Sequence, residues 1–251
     1  MKLYFKDCRR LFTNKLLHLV SMSARNIIGQ QSLVGVQPII NNNHFTFVKI
    51  LEDNWESIYD ELVEILKYRD LIPSFHKISK EQYKISKGKK WKTFAFFSFG
   101  HKFKINCSYA PNTVKLLECI PGLQSAWFSI IAPGYHVPKH KGITRGILRS
   151  HLGLSIPNNP KECFMDVGND RIYWEQGKVV VFDDSFEHEV WNNTDQERIV
   201  LLFDFNRPMK KIGFYIHDTS MKIFRRTAAY KEGVRSTIKL EKLFNRKVSI
   251  R

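Results

Sequence analysis

The stretch Phe182-Asp183-Asp184-Ser185-Phe186-Glu187-His188-Glu189-Val190-Trp191 gathers four acids and three aromatic residues around one histidine. It begins where the run Lys178–Phe182, rich in β-branched residues, ends. Short runs of the same character occur at Trp91–Phe99, Ala126–Ile131, Gly146–Ile156, Arg171–Trp174 and Arg198–Phe205. Gly, Pro, Asn and Asp separate them. Many short strands with turn residues between them predict a sandwich or a barrel. The expected fold is mainly β with flanking helices, and no internal repeat is visible.

Helical spacing is confined to fewer places. Asp53–Asp70 carries Trp55, Ile58, Tyr59, Leu62 and Leu66 at helical intervals, and Asp53 with Glu56 reads as a capping box. That stripe is expected to pack in the core. Pro111 to Ile120 predicts a shorter helix, stopped by Pro121-Gly122. Residues 76–90 are lysine-rich and read as an exposed loop.

Three of the nine histidines stand out. His140 lies in Pro138-Lys139-His140-Lys141-Gly142, His151 in Arg149-Ser150-His151-Leu152-Gly153-Leu154, and His188 in the opening stretch. A barrel can bring His140 and His188 together across 48 positions. Two imidazoles with open coordination positions suit an iron(II) centre that must also bind substrate and oxygen. The bland alternative is a pair of ordinary polar residues at strand ends. Parity adds a second clue. Arg149 and His151 point the same way on one strand, and Arg198 at the start of another can point inward too. An inward arginine is costly unless it meets an anion. Either the arginines hold a dicarboxylate ligand, or they pair with structural acids such as Asp183, Asp184 or Asp204.

The 251 residues are 43% hydrophobic and 13% aromatic, enough for a sizeable core, which excludes wholesale disorder. No stretch approaches the ~18–20 apolar residues of a membrane span. Four cysteines without a CxxC pair exclude a disulfide scaffold and a cysteine zinc finger. The net charge of +16 sits in the flanks. Residues 1–44 carry six Lys/Arg against one acid, residues 207–251 thirteen against three, and the centre is balanced. Basic flanks suit an anionic membrane surface or serve only solubility. Nucleic acid is not expected as a partner, because no aromatic platform accompanies the charge. The expected organisation is a basic N-terminal extension over 1–44, a domain over 45–208 with its β core at about 91–208, and a basic tail over 209–251, helical around Leu240–Phe244. Residues 1–32 read as an amphipathic surface helix, a transit peptide or an unstructured arm. A secretory signal does not fit Asp7 and His18.

From Trp91 to Pro208 the chain resembles the aspartyl/asparaginyl β-hydroxylases, which are iron(II)- and 2-oxoglutarate-dependent dioxygenases on a double-stranded β-helix, or jelly-roll, core. The resemblance rests on residues in order. They are Trp91 with Phe94, Ala110-Pro111 with Thr113, Phe128-Ser129-Ile130, Pro133-Gly134, His140 with Gly142, Leu148-Arg149 with His151-Leu152-Gly153-Leu154, Ile156-Pro157, Trp174-Glu175 with Gly177-Lys178-Val179, the opening run, Arg198, and Arg207-Pro208. It implies that His140 and His188 ligate iron, with Gly142 where the wider superfamily has a carboxylate. It further implies that Arg198 anchors the far carboxylate of 2-oxoglutarate, that Ser129, Arg149 and His151 help to hold that co-substrate, and that Trp91 lines its pocket. Oxygen is the third participant, and the reaction implied is hydroxylation of an unactivated C–H.

The same resemblance leaves the substrate open. The opening run is closest to peptide hydroxylases and makes the β-carbon of an aspartyl or asparaginyl residue the leading expectation. The basic flanks and the segments Thr113–Leu117, Ile120-Pro121-Gly122, Pro157-Asn158 and Cys163-Phe164 resemble the lipid A 2-hydroxylases, so an acyl chain of an anionic lipid is the alternative. A jelly-roll binding module without catalysis is a third. The animal enzymes close a disulfide in this region. Cys107 fits one half, but the partner position is Val114, so that bond cannot form and a secretory setting loses support. The expected location is the cytoplasm, with peripheral contact at the inner membrane face.

Overall fold

A computed structural model describes residues 25–78, 83 and 85–250. Among them eleven strands occur: β1 Ile39–Ile40, β2 Trp91–Ser98, β3 His101–Lys102, β4 Leu123–Ile131, β5 Tyr135–His140, β6 Ile147–Ser155, β7 Cys163–Val167, β8 Asp170–Tyr173, β9 Val179–Phe182, β10 His188–Asn192 and β11 Arg198–Asn206. They form a seven-stranded sheet in the order β1-β9-β6-β11-β4-β2-β3 and a four-stranded sheet in the order β5-β10-β7-β8. Neighbouring strands pair antiparallel, and the two sheets face each other across an apolar layer that includes Phe182 and Leu202 from one and Val137 and Met165 from the other. This is the jelly roll that the family resemblance implies, and one form of the sandwich or barrel that the strand pattern predicts.

Strand β11 shows why the large sheet is buried on both faces. Ile199, Leu201, Phe203 and Phe205 point to one side, while Arg198, Val200, Leu202 and Asp204 point to the other. The first set packs with Leu148, Leu152 and Leu154 beneath the helices Thr46–Asp53 and Trp55–Leu66. Ile58 and Leu62 are buried there and Trp55, Tyr59 and Leu66 are partly so, as the helical stripe predicts. The second set faces the smaller sheet and builds the site.

Besides the two-residue β1 and β3, three longer strands escaped the sequence pattern. β5 carries Pro138, β7 alternates buried with half-buried residues, and β10 lies inside the acidic stretch, so none forms an apolar run. The capping box is also corrected. Asp53 ends the helix Thr46–Asp53 and bonds Lys49 one turn back, and Asn54 precedes the next helix without a side-chain cap. The apolar period runs through this break, so periodicity alone did not show it.

Both flanks differ from expectation. Beyond Pro208 the basic segment folds as two helices, Lys211–Phe224 and Ala228–Val248, the second spanning the expected helical stretch Leu240–Phe244. Phe244 is buried against Phe94 and Tyr109, and full burial of such a ring contributes about 1.5–3 kcal/mol. Glu241 accepts hydrogen bonds from the backbone N–H groups of Ile105 and Asn106, at the start of the helix Lys104–Ser108. Of the N-terminal extension, residues 25–40 fold onto the β core: Ile28 is buried, and β1 pairs with β9. The targeting readings for residues 1–32 fall largely on residues 1–24, outside those described. The lysine-rich segment is not simply an exposed loop either, since His76 and Ser86 are buried and bond each other.

Candidate active site

His140 closes β5 and His188 opens β10, and the two are direct partners in the antiparallel ladder. Their ring centroids lie 4.1 Å apart. Each Nδ1 sits against a carbonyl oxygen two residues upstream, Pro138 at 2.8 Å and Phe186 at 3.0 Å. A carbonyl only accepts, so Nδ1 carries the proton and Nε2 presents a lone pair. That is the tautomer a metal ligand needs, with its orientation fixed by the second nitrogen. Burial lowers the imidazoles to about 4 for His140 and about 3 for His188, where proximity of His140 adds to the effect. Both are neutral at pH 7.

Asp184 was weighed from sequence only as a structural acid, yet it stands beside this pair. Its backbone oxygen accepts from Gly142 N at 2.7 Å, and its carboxyl is raised to about 7 by burial. Arg149 lies 3.4 Å away. Among the described residues no group of three or more His, Cys, Asp and Glu side chains is arranged around a common point. The two imidazoles are side chains whose tautomer and orientation would suit a metal ion.

The inward face of the large sheet supplies the anion-binding side. Arg198 is 1% exposed, and neither its Nε nor its Nη1 has a partner. Its guanidinium lies 4.5 Å over the Trp174 ring; burial lowers it to about 10, so it stays cationic at neutral pH. Trp174 Nε1 donates to His151 Nδ1 at 3.1 Å, which puts the His151 proton on Nε2, itself unpartnered. Ser129 accepts from Trp91 Nε1 at 3.1 Å, leaving its hydroxyl proton free to point elsewhere. Thr93 Oγ1 is buried beside them without a partner. Buried polar groups are rarely left unmatched, so this set of orphaned donors fits a bound dianion.

The structure separates the two arginines that parity treated alike. Arg149 is bidentate to Asp204, at 2.7 and 3.0 Å, and among the described residues Arg198 Nε and Nη1 have no partner. Asp183 is occupied elsewhere, in a fully buried pair with Arg207 that also ties down the Gly35 carbonyl. The alternatives left open by the sequence thus divide. Arg149 takes the structural partner, and Arg198 is left for a ligand.

All seven sequence-predicted site residues, Trp91, Ser129, His140, Arg149, His151, His188 and Arg198, line one cavity of about 370 Å³. Its remaining wall is mostly apolar. Phe75 stacks on Trp91 at 4.2 Å, and Trp127, Phe99, Phe224 and Tyr230 contribute further. Sequence reading missed these. Phe75 borders the lysine-rich segment, and Phe224 and Tyr230 belong to the presumed tail, where no periodic signal marks a cavity wall.

Comparison with known proteins identifies the family. The family model described as aspartyl/asparaginyl beta-hydroxylase matches residues 52–208. An ornithine lipid ester-linked acyl 2-hydroxylase of Rhizobium tropici is 36% identical over 211 residues, covering 84% of this chain and 75% of that one. The human aspartyl/asparaginyl beta-hydroxylase is 36% identical over 167 residues, covering 64% of this chain but only 21% of that protein. A solved oxidoreductase of the 2OG-Fe(II) oxygenase family from Burkholderia pseudomallei aligns with 47% of this chain and 66% of its own, at 12% identity and a TM-score of 0.39. This chain belongs to the aspartyl/asparaginyl β-hydroxylase family and is a hydroxylase.

Proposed function

We propose that this protein is an iron(II)- and 2-oxoglutarate-dependent dioxygenase that hydroxylates an acyl chain of a lipid. The observation that carries the substrate is the mostly apolar remainder of the wall of the cavity of about 370 Å³ that also holds the histidine pair. A hydrocarbon chain fits a wall of Phe75, Trp127, Phe99 and Phe224, and its C–H bonds need no polar recognition. The Rhizobium tropici relative, named for an acyl 2-hydroxylase activity, supports the same reading across most of both chains.

The peptide substrate favoured from sequence rested on Phe182–Trp191. Those residues are engaged otherwise: Asp183 pairs with Arg207, Phe186 orients His188, and Trp191 stacks on His136 at 3.6 Å. The run serves the metal side of the site and carries little information about the substrate.

Iron(II) would be held by His140 and His188 Nε2 and 2-oxoglutarate by Arg198, and together with oxygen they supply the oxidant while releasing succinate and carbon dioxide. The protein's part is placement. Arg198 neutralises a carboxylate in a buried setting where water would otherwise be required. His151 and Ser129 donate hydrogen bonds that orient the co-substrate. The apolar wall excludes water and aims a C–H at the metal side.

The test is succinate formation under air with iron(II) and ascorbate, with acyl lipids and Asp- or Asn-containing peptides added in parallel. Lipid-stimulated turnover, abolished in His188→Ala and Arg198→Met, with an acyl chain one oxygen heavier, supports the reading. Stimulation by peptides alone overturns the substrate, and absence of both succinate and bound iron favours a non-catalytic binding module.

A further inference from the structure

The helix Lys211–Phe224 exposes several large apolar side chains among polar ones on its outer face. Gly213, His217 and Met221 form its buried stripe, at intervals of four. The opposite side, which should be polar, carries Ile212, Tyr215 and Ile223, exposed by 64%, 66% and 61%. Phe214 beside them is also exposed. Single exposed apolar residues are ordinary, but a cluster of large ones marks an interaction surface.

A second segment packs against the buried side of the helix start. Lys210 N donates to the Gln31 carbonyl and Leu33 N to the Pro208 carbonyl, so residues 31–33 lie alongside the helix start. A Cβ at Gly213 would meet Gln31 Cβ at 2.5 Å, which shows how closely the two segments pack. Leu33, on this second segment, is exposed as well. The far end of the helix reaches the active-site cavity, because Phe224 is part of the cavity wall. Ile143, also in that wall, is exposed.

Charge identifies the occupant. Lys210, Lys211 and Arg226 flank the patch and are exposed, in a C-terminal region with thirteen Lys/Arg against three acids. A protein partner with an apolar face would need no such excess, whereas an anionic leaflet offers both acyl boundary and negative headgroups. No described helix is long and apolar enough to cross a membrane.

We infer that the outer face of the helix Lys211–Phe224, with Leu33 beside it, docks the protein onto an anionic lipid surface and sets the cavity against the leaflet. The cavity-facing part of this inference rests on the acyl-chain reading above; the docking itself does not.

The experiment is co-sedimentation of the full chain with vesicles of phosphatidylglycerol and phosphatidylcholine, or of phosphatidylcholine alone. Two triple variants outside the cavity are compared, Ile212→Ser/Tyr215→Ser/Ile223→Ser and Lys210→Gln/Lys211→Gln/Arg226→Gln. Binding to the anionic vesicles, weakened at least tenfold in each variant, is the expected result. The thermal shift given by 2-oxoglutarate and metal should be unchanged, which shows that fold and site are intact. Undiminished binding by the apolar variant overturns the inference, as does equal binding to neutral vesicles. Binding that is lost only on deletion of residues 1–24 places the contact elsewhere and also overturns it. A wild-type dimer that the apolar variant converts to monomer assigns the patch to a second copy instead. Vesicle binding without lipid turnover would leave the docking standing and remove the acyl-chain reading.

Discussion

The carboxylate of Asp184 fills the space that a side chain at Gly142 would need. A Cβ built on Gly142 would fall on top of the Asp184 side chain, far inside contact distance. The wider superfamily places its carboxylate ligand two residues after the first histidine. Here that carboxylate cannot exist while Asp184 keeps its place, so the glycine is required sterically. Gly142→Ala should destabilise the protein by about 1–3 kcal/mol through overpacking. The cost should shrink in an Asp184→Ala background, and chemical denaturation of the four proteins in that cycle measures the coupling. Equal costs in both backgrounds would contradict the steric account.

Arg198 predicts a trade between stability and function. A buried guanidinium with unpartnered Nε and Nη1 destabilises the ligand-free protein. Arg198→Met should therefore raise ligand-free stability by about 1–3 kcal/mol, while abolishing the thermal stabilisation given by 2-oxoglutarate. Scanning calorimetry with and without the co-substrate tests both halves.

Arg149 predicts the opposite sign. Its removal leaves Asp204 buried at 1% exposure without its bidentate partner. Arg149→Met should cost about 3–5 kcal/mol. Denaturant midpoints of the two arginine variants, moving in opposite directions from wild type, would confirm the assignment.

His217 makes stability depend on pH. Its Nε2 donates to Asn206 Oδ1 at 3.0 Å, and burial lowers it to about 4 from 6.5. The folded state thus holds a neutral imidazole that the unfolded chain protonates first. The contribution is complete above pH 6.5 and is lost progressively as pH falls to 4, by up to about 3 kcal/mol. Urea midpoints at pH 7 and 5 should drop less for His217→Gln than for wild type. An unchanged drop would show that other groups carry the acid sensitivity.

Glu241 tests whether the C-terminal helices belong to the fold. Its carboxylate caps the helix Lys104–Ser108 through Ile105 N and Asn106 N, at 3.0 and 3.1 Å. Glu241→Ala should cost about 1–2 kcal/mol, the usual loss for a side-chain cap. A midpoint within error of wild type would mean that the helix does not hold the core.

The pairing of His140 with His188 was implied chiefly by the family resemblance, but the sequence by itself determined the strand-rich architecture and the inward side of β6 and β11. These are legible because strand parity is local: a two-residue period puts Arg149 with His151, and Arg198 with Asp204, whatever surrounds them. The strands β5, β7 and β10 were not legible, because a strand half-covered by charged and polar residues has no apolar run. The partners of the arginines were beyond its reach as well. Arg149 and Arg198 have the same chemistry and the same parity, and only the register of β11 against β6 sets Asp204 beside one and leaves the other bare. The cavity wall is also a tertiary product. Phe224 and Tyr230 come from a basic segment without strand or core signal, and it is packing of that segment onto the jelly roll that completes the apolar wall of the cavity.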